Sequence, residues 1–195
     1  MEKLNGKKKL VISVFISGRG TNLKSLIEFS KKKNSQIKIA LVICNDKSAK
    51  GINYAKKNKI NFLIVNYKNK NKAENKILVN LKKNKIDLIC LAGFMKILSK
   101  KIINIYKNKI LNIHPSLLPN YKGLNTHKRV IENKEKYSGC TVHLVNSKLD
   151  SGKIVLQKKI KVFKNDNEYS LAKRVLKIEN LTYPRAIRKF IKTNL

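Results

Sequence analysis

The sequence predicts a doubly wound α/β fold with a mostly parallel, Rossmann-like sheet and an antiparallel extension near the C-terminus. Three observations carry this. Apolar, β-branched runs alternate with helical stretches up to Ala92, as βαβ units require. Ile86 to Ala92 is apolar throughout, as in a strand covered on both faces of a parallel sheet. Gly139 to Val145 and Ile154 to Val162 alternate apolar with polar, as two strands of a hairpin that extends the sheet do. At 195 residues the expectation is a single domain, 1–195, with one sizeable core.

The elements follow in order. Lys9 to Ser17 reads as the first strand and Gly18-Arg19-Gly20-Thr21-Asn22 as a glycine-rich turn. A helix is expected from Leu23 to about Lys32. Strand, turn and helix in that order present backbone N–H groups to an anion, and Thr21 or Asn22 is placed to cap the helix. A dinucleotide site would need a third glycine, which Asn22 to Lys24 lacks. Ile37 to Cys44 is the next strand, with its turn at Asn45 to Ser48. A helix from Ala49 to Lys59 and a short strand from Asn61 to Val65 come after it. Asn66 to Lys72 reads as a polar loop, and Ala73 to Lys83 as an amphipathic helix. A helix follows His127 to about Asn133. Asp166 or Asn167 is placed to cap a helix from Glu168 to Glu179, which Pro184 interrupts before Arg185 to Thr193 resumes.

Composition narrows the classes. A hydrophobic share of 42% is that of a globular protein. No apolar run is long enough to span a bilayer. Met1 to Lys9 leads into a strand without a signal-peptide core. Cys44, Cys90 and Cys140 lack metal-ligand spacing, and the first two lie in apolar strands. They read as buried thiols in a cytoplasmic protein without a metal site. The net charge of +34 raises a nucleic-acid reading. Lysine is spread along the whole chain, with no zinc-finger spacing and no RNA-binding aromatic signature. A basic nucleic-acid-binding module is therefore the remote alternative.

The chemistry concentrates in Leu111 to Gly123. Two of the three prolines and one of the three histidines fall there. Asn112 and His114 alternate, so on a strand both face one side, and Pro115 ends that strand. An amide and an imidazole then stand side by side at a sheet rim; the other reading is an Asn and a His satisfied within a turn. Asp150 lies in a Leu-Asp-Ser-Gly turn in a chain with only 11 acids. The residues alone leave two readings of it equal: an imidazole partner, or a turn aspartate bonding its own backbone. His127 and His143 are the competing histidines.

Ser17-Gly18-Arg19-Gly20-Thr21-Asn22-Leu23, Ala92 to Ser99, Asn112 to Pro119 and Leu149 to Gly152 resemble the folate-dependent phosphoribosylglycinamide formyltransferases. The likeness runs on to Tyr183-Pro184. It implies transfer of the formyl group of 10-formyltetrahydrofolate to the amine of glycinamide ribonucleotide in de novo purine biosynthesis. It also implies that Asn112, His114 and Asp150 are the catalytic group, with no metal and no covalent enzyme intermediate. A carboxylate beside the ring is expected to raise the His114 pKa, so that it acts as a cation.

Further positions carry over singly. Gly20, Thr21 and Asn22 match the loop for the ribose phosphate. Glu179 matches an acid near the glycinamide end; its other reading is a solvated helix carboxylate. Met95, Lys96, Ile97 and Leu98 match one wall of the folate pocket, and Asn146, Ser147, Lys148, Leu149 and Asp150 the other. Lys72 stands near an arginine that some relatives use for the folate. The expected partners are small anionic molecules, in a monomer or homodimer, without membrane or dedicated nucleic acid. Two related activities are the alternatives. A methionyl-tRNA formyltransferase normally adds a C-terminal RNA-binding domain, and a formyltetrahydrofolate hydrolase an N-terminal regulatory domain. The chain length is expected to leave room for neither.

Overall fold

The computed structural model describes residues 3–4 and 7–194. The expectation for Met1-Glu2 and Asn5-Gly6 lies outside them. The elements run β1 (Lys3–Leu4), β2 (Lys7–Lys8), β3 (Leu10–Ile16), α1 (Thr21–Ser30), β4 (Ile37–Cys44), α2 (Ile52–Lys57), β5 (Asn61–Ile64), α3 (Lys70–Lys83), β6 (Leu88–Leu91), α4 (Lys100–Ile105), β7 (Ile110–His114), α5 (Thr126–Glu132), β8 (Tyr137–Leu144), β9 (Ile154–Lys161) and α6 (Glu168–Asn194). The seven-stranded sheet has the order β5-β4-β3-β6-β7-β8-β9. The chain divides into two compact units, Met1–Leu111 and Asn112–Leu195.

In the first unit β3 pairs parallel with β4 and β6, and β4 pairs parallel with β5. Ile12, Val14, Phe15, Ile16, Leu88 and Ile89 are fully buried, as a sheet covered on both faces requires. Cys44 and Cys90 are buried free thiols, as expected. Because β3 and β6 are parallel neighbours, the loops after them lie at the same edge. One element departs from expectation at its start. Asn69 accepts from the Lys72 N–H at 2.9 Å and caps α3, so Lys72 stands in the first helical turn and not in a loop. The six-residue α4, capped by Ser99, was not expected at all.

In the second unit β8 and β9 form the antiparallel hairpin, with Tyr137 opposite Lys161. α6 packs on both strands and on α5. The expected break at Pro184 does not occur: α6 runs unbroken from Glu168 to Asn194. Proline removes one N–H and crowds the preceding turn, a cost of about 3 kcal/mol in a helix interior. Tyr183, Ala186 and Ile187, all fully buried on that helix, offset it by apolar burial. At its start Asn167 accepts from the Tyr169 and Ser170 N–H groups, at 3.0 and 2.9 Å.

Candidate active site

Asn112 and His114 occupy alternate positions of β7, and Pro115 follows the strand end as its fixed φ demands. The loop from β8 to β9 returns Asp150 to the histidine. Asp150 Oδ2 lies 3.3 Å from His114 Nδ1 and accepts the Gly123 N–H at 2.9 Å. Asp150 holds φ at +46°, a left-handed conformation that Asp tolerates better than most residues. The expected pairing of His114 with Asp150 is therefore present, and the turn reading of Asp150 is not the one observed.

His143 joins them from β8. Its Nδ1–H donates to the Leu144 carbonyl at 2.8 Å, which leaves the Nε2 lone pair to accept from Asn112 Nδ2 at 3.2 Å. The same Nε2 lies 3.6 Å from Asp150 Oδ1. Four side chains thus form one cluster, in which Asn112 is half-buried and Asp150 is buried, with His114 5% exposed and His143 2% exposed. Alternation with Val142 and Leu144 placed His143 on a strand in the sequence. Nothing in the sequence showed that its polar edge meets Asn112.

Two features bear on the expectation of a cationic His114 with a raised pKa, and the second corrects it. Its Nε2–H donates to the Tyr121 carbonyl at 2.8 Å, so both ring nitrogens face oxygen acceptors. Burial also pushes its pKa below the ordinary 6.5, outweighing the Tyr121 carbonyl and the Asp150 carboxylate, which push it up. The carboxylate acts in the expected direction and desolvation wins. For Asp150, burial raises the pKa, but His143 when it carries a proton on Nε2, the Gly123 N–H and His114 together hold it below the carboxylate range.

His127 Nδ1 is buried without a hydrogen-bond partner among the described residues. Burial lowers the His127 pKa, and coupling to His114 through charge adds to the lowering. Glu179 is buried in α6 and not a solvated helix carboxylate. It raises the pKa of Cys140, which burial chiefly drives up to about 12. Asn146, Ser147, Lys148 and Leu149 are exposed on the loop leading to Asp150. The Asn146 side chain fixes that loop by accepting the Lys148 N–H at 2.9 Å.

In the first unit, Gly20 is the N-cap of α1 at φ +72°, with no side-chain capping bond. The expected cap by Thr21 or Asn22 is thus absent, and Gly20 brings the helix N-terminus, which favours negative charge, to the end of the glycine loop. Gly51 backs the loop. Its N–H donates to the Gly18 carbonyl at 3.0 Å, and a Cβ on Gly20 would lie 2.6 Å from Gly51 Cα. Met95, Lys96 and Ile97 are exposed in an irregular segment and Leu98 is buried. Ile97, 70% exposed, is apolar surface that folding leaves uncovered. Lys72 is exposed on α3. Among the described residues no group of His, Cys, Asp and Glu is arranged to hold a metal ion, and no helix is long and apolar enough to cross a membrane.

A sequence model of formyl transferases matches residues 10–187. The chain is 42% identical over 187 residues to the phosphoribosylglycinamide formyltransferase of Haemophilus influenzae, covering 94% of this chain and 88% of that protein. The chain belongs to the phosphoribosylglycinamide formyltransferase family. The crystal structure of that enzyme from Brucella melitensis superposes with a TM-score of 0.90 at 40% identity, over 94% of this chain and 96% of the other. The family domain also occurs inside larger proteins. Against the trifunctional purine biosynthetic protein adenosine-3 of Drosophila melanogaster the chain is 36% identical over 97% of its own length, and spans 14% of that protein.

Proposed function

We propose that the chain, as one formyltransferase domain over 1–195, transfers the formyl group of 10-formyltetrahydrofolate to the amine of glycinamide ribonucleotide. The observation that carries this reading is the Asn112–His143–Asp150–His114 cluster in a chain of this family. The amine nitrogen attacks the formyl carbon and forms the new C–N bond, while the carbonyl electrons move to oxygen. Collapse of that tetrahedral species breaks the bond to the folate nitrogen, which takes up the proton the amine gives away. Asn112 has two amide hydrogens, and His143 occupies one. The second serves the developing oxyanion, a role worth about 10²–10³ in rate. His114 and Asp150 hold and move the proton.

The phosphate of the acceptor binds at Gly20, Thr21 and Asn22, supported by the glycine loop that leads into the N-terminus of α1. Glu179 binds the glycinamide end. Met95 to Leu98 and Asn146 to Asp150 line the folate, supported by their exposed apolar members Met95, Ile97 and Leu149. Lys72 meets the folate's anionic tail. The setting is the cytoplasm, and the partners are these small molecules. The test is a formyl-transfer assay offering glycinamide ribonucleotide, methionyl-tRNA and water as competing acceptors. Transfer to glycinamide ribonucleotide is expected to dominate; dominant transfer to tRNA or to water would overturn the reading.

A further inference from the structure

The segment Met95–Leu98 has no regular secondary structure, and its first three residues are exposed. A surface segment of this kind keeps one shape only if its ends are held. Two side chains hold them. At the front, the Met95 N–H donates to Ser17 Oγ at 2.7 Å. At the back, the Ser99 N–H donates to Glu74 Oε1 at 2.9 Å. Both contacts are remote in sequence, 78 and 25 residues apart.

Each acceptor is itself fixed. Ser17 ends the loop side of β3 and gives its own hydrogen to Asn45 Oδ1, so its oxygen is left to accept. Glu74 is 2% exposed on α3, among the most deeply buried acids of the chain. A carboxylate in such a place is costly unless its oxygens are bonded, so an apolar residue would be the easier choice for packing alone. Just before the first anchor Phe94 packs edge-on against Phe15 and Tyr67, with ring centroids 5.3 and 5.7 Å apart. Phe94 fixes the segment's depth but no hydrogen-bonding direction. The direction of its peptide groups is set by Ser17 and Glu74.

We propose that Ser17 and Glu74 are positioning residues for the folate, acting through the backbone of Met95–Leu98 without touching the ligand. This rests on the reading of that segment as a folate wall. Ser17 also directly precedes the Gly18–Asn22 loop, so one hydroxyl joins the folate wall to the strand end that carries the phosphate loop.

The experiment measures tetrahydrofolate binding by calorimetry, steady-state transfer to glycinamide ribonucleotide, and thermal midpoints. It uses the full chain and its Ser17→Ala, Ser17→Thr, Glu74→Ala and Glu74→Gln variants. Threonine keeps the hydroxyl and glutamine keeps an acceptor oxygen. The alanine variants are expected to weaken tetrahydrofolate about tenfold, the scale of one lost hydrogen bond, with kcat at saturating folate within about twofold. The threonine and glutamine variants are expected to stay within about threefold of the parent. Alanine variants that bind as the parent does would overturn the inference while leaving the proposed function intact. So would weakening that threonine and glutamine fail to restore. A parent chain that binds no tetrahydrofolate would overturn both.

Discussion

His114 faces acceptors with both ring nitrogens, yet burial holds its pKa below 6.5. The neutral ring keeps its hydrogen on Nε2, against the Tyr121 carbonyl at 2.8 Å. Its Nδ1 lone pair then points at Asp150, and a proton arriving there completes an ion pair. Asp150→Asn removes the charge that favours imidazolium, so the His114 pKa falls further. An NMR titration of the ring in both proteins checks this, and an unchanged or higher value in the variant would contradict it. The linkage sign follows from the same shift. A histidine whose folded pKa is depressed contributes stability that is present above pH 6.5 and is lost as pH falls through the folded pKa. Asn112 differs because it does not titrate. Asn112→Ala should lower kcat by about 10²–10³ equally at every pH, whereas His114→Ala should also remove a limb of the pH–rate profile. Two profiles of the same shape would show that the residues do not divide the work this way. Asn112 and His114 were legible as a pair because alternation and a proline stop converge on them, whereas the residues alone left two readings of Asp150 equal and only the family resemblance chose between them. His143 was not, because a histidine between valine and leucine on a strand looks the same whether its edge meets a ligand group or the core.

At the scale of elements, the glycine loop shows why local sequence told only part of the structure. Strand, turn and helix were all legible, but the helix was expected to carry a side-chain cap at Thr21 or Asn22. Gly20 caps it instead, because only a left-handed residue without Cβ fits against Gly51. Gly20→Ala should therefore cost at least about 1–2 kcal/mol for the backbone alone, with the clash at Gly51 added, measured by urea unfolding. An unchanged midpoint would mean that the loop shifts freely. Thr21→Glu leaves that geometry untouched and sets a like charge at the helix start. It should raise the KM for glycinamide ribonucleotide strongly with little change in stability. The remaining misses have physical causes of the same kind. The start of α3 was hidden because Asn69 and its lysine neighbours have loop composition while Asn69 serves as a cap. α4 has six residues, too few for a hydrophobic period to register. α6 continues past Pro184 because burial of Tyr183, Ile187 and Phe190 is a tertiary effect that helix propensity does not contain.

Over the whole molecule the outstanding property is charge, with 45 lysines and arginines against 11 acids. The parallel sheet and the C-terminal hairpin were legible despite it, because most strands are apolar and Lys38 of β4 and Lys158, Lys159 and Lys161 of β9 fall on exposed positions. The lysines lie mostly on exposed positions, where they set a long-range field and not a fold. That field acts on any anionic ligand before contact. A phosphorylated acceptor and an anionic folate should both be concentrated by it, through encounter and not through added contacts at the site. The Debye length shrinks from about 10 Å at 0.1 M salt to about 3 Å at 1 M, so distant lysines are screened first and the site's own hydrogen bonds last. Raising sodium chloride over that range should therefore increase the KM for glycinamide ribonucleotide several-fold and leave kcat nearly constant. A neutral nucleoside lacking the phosphate should show little of the increase. If KM stays level for the phosphorylated acceptor, the positive charge contributes nothing to substrate capture. If kcat falls together with KM, salt is acting on the Asn112–His114–Asp150 chemistry or on the fold, and not on encounter.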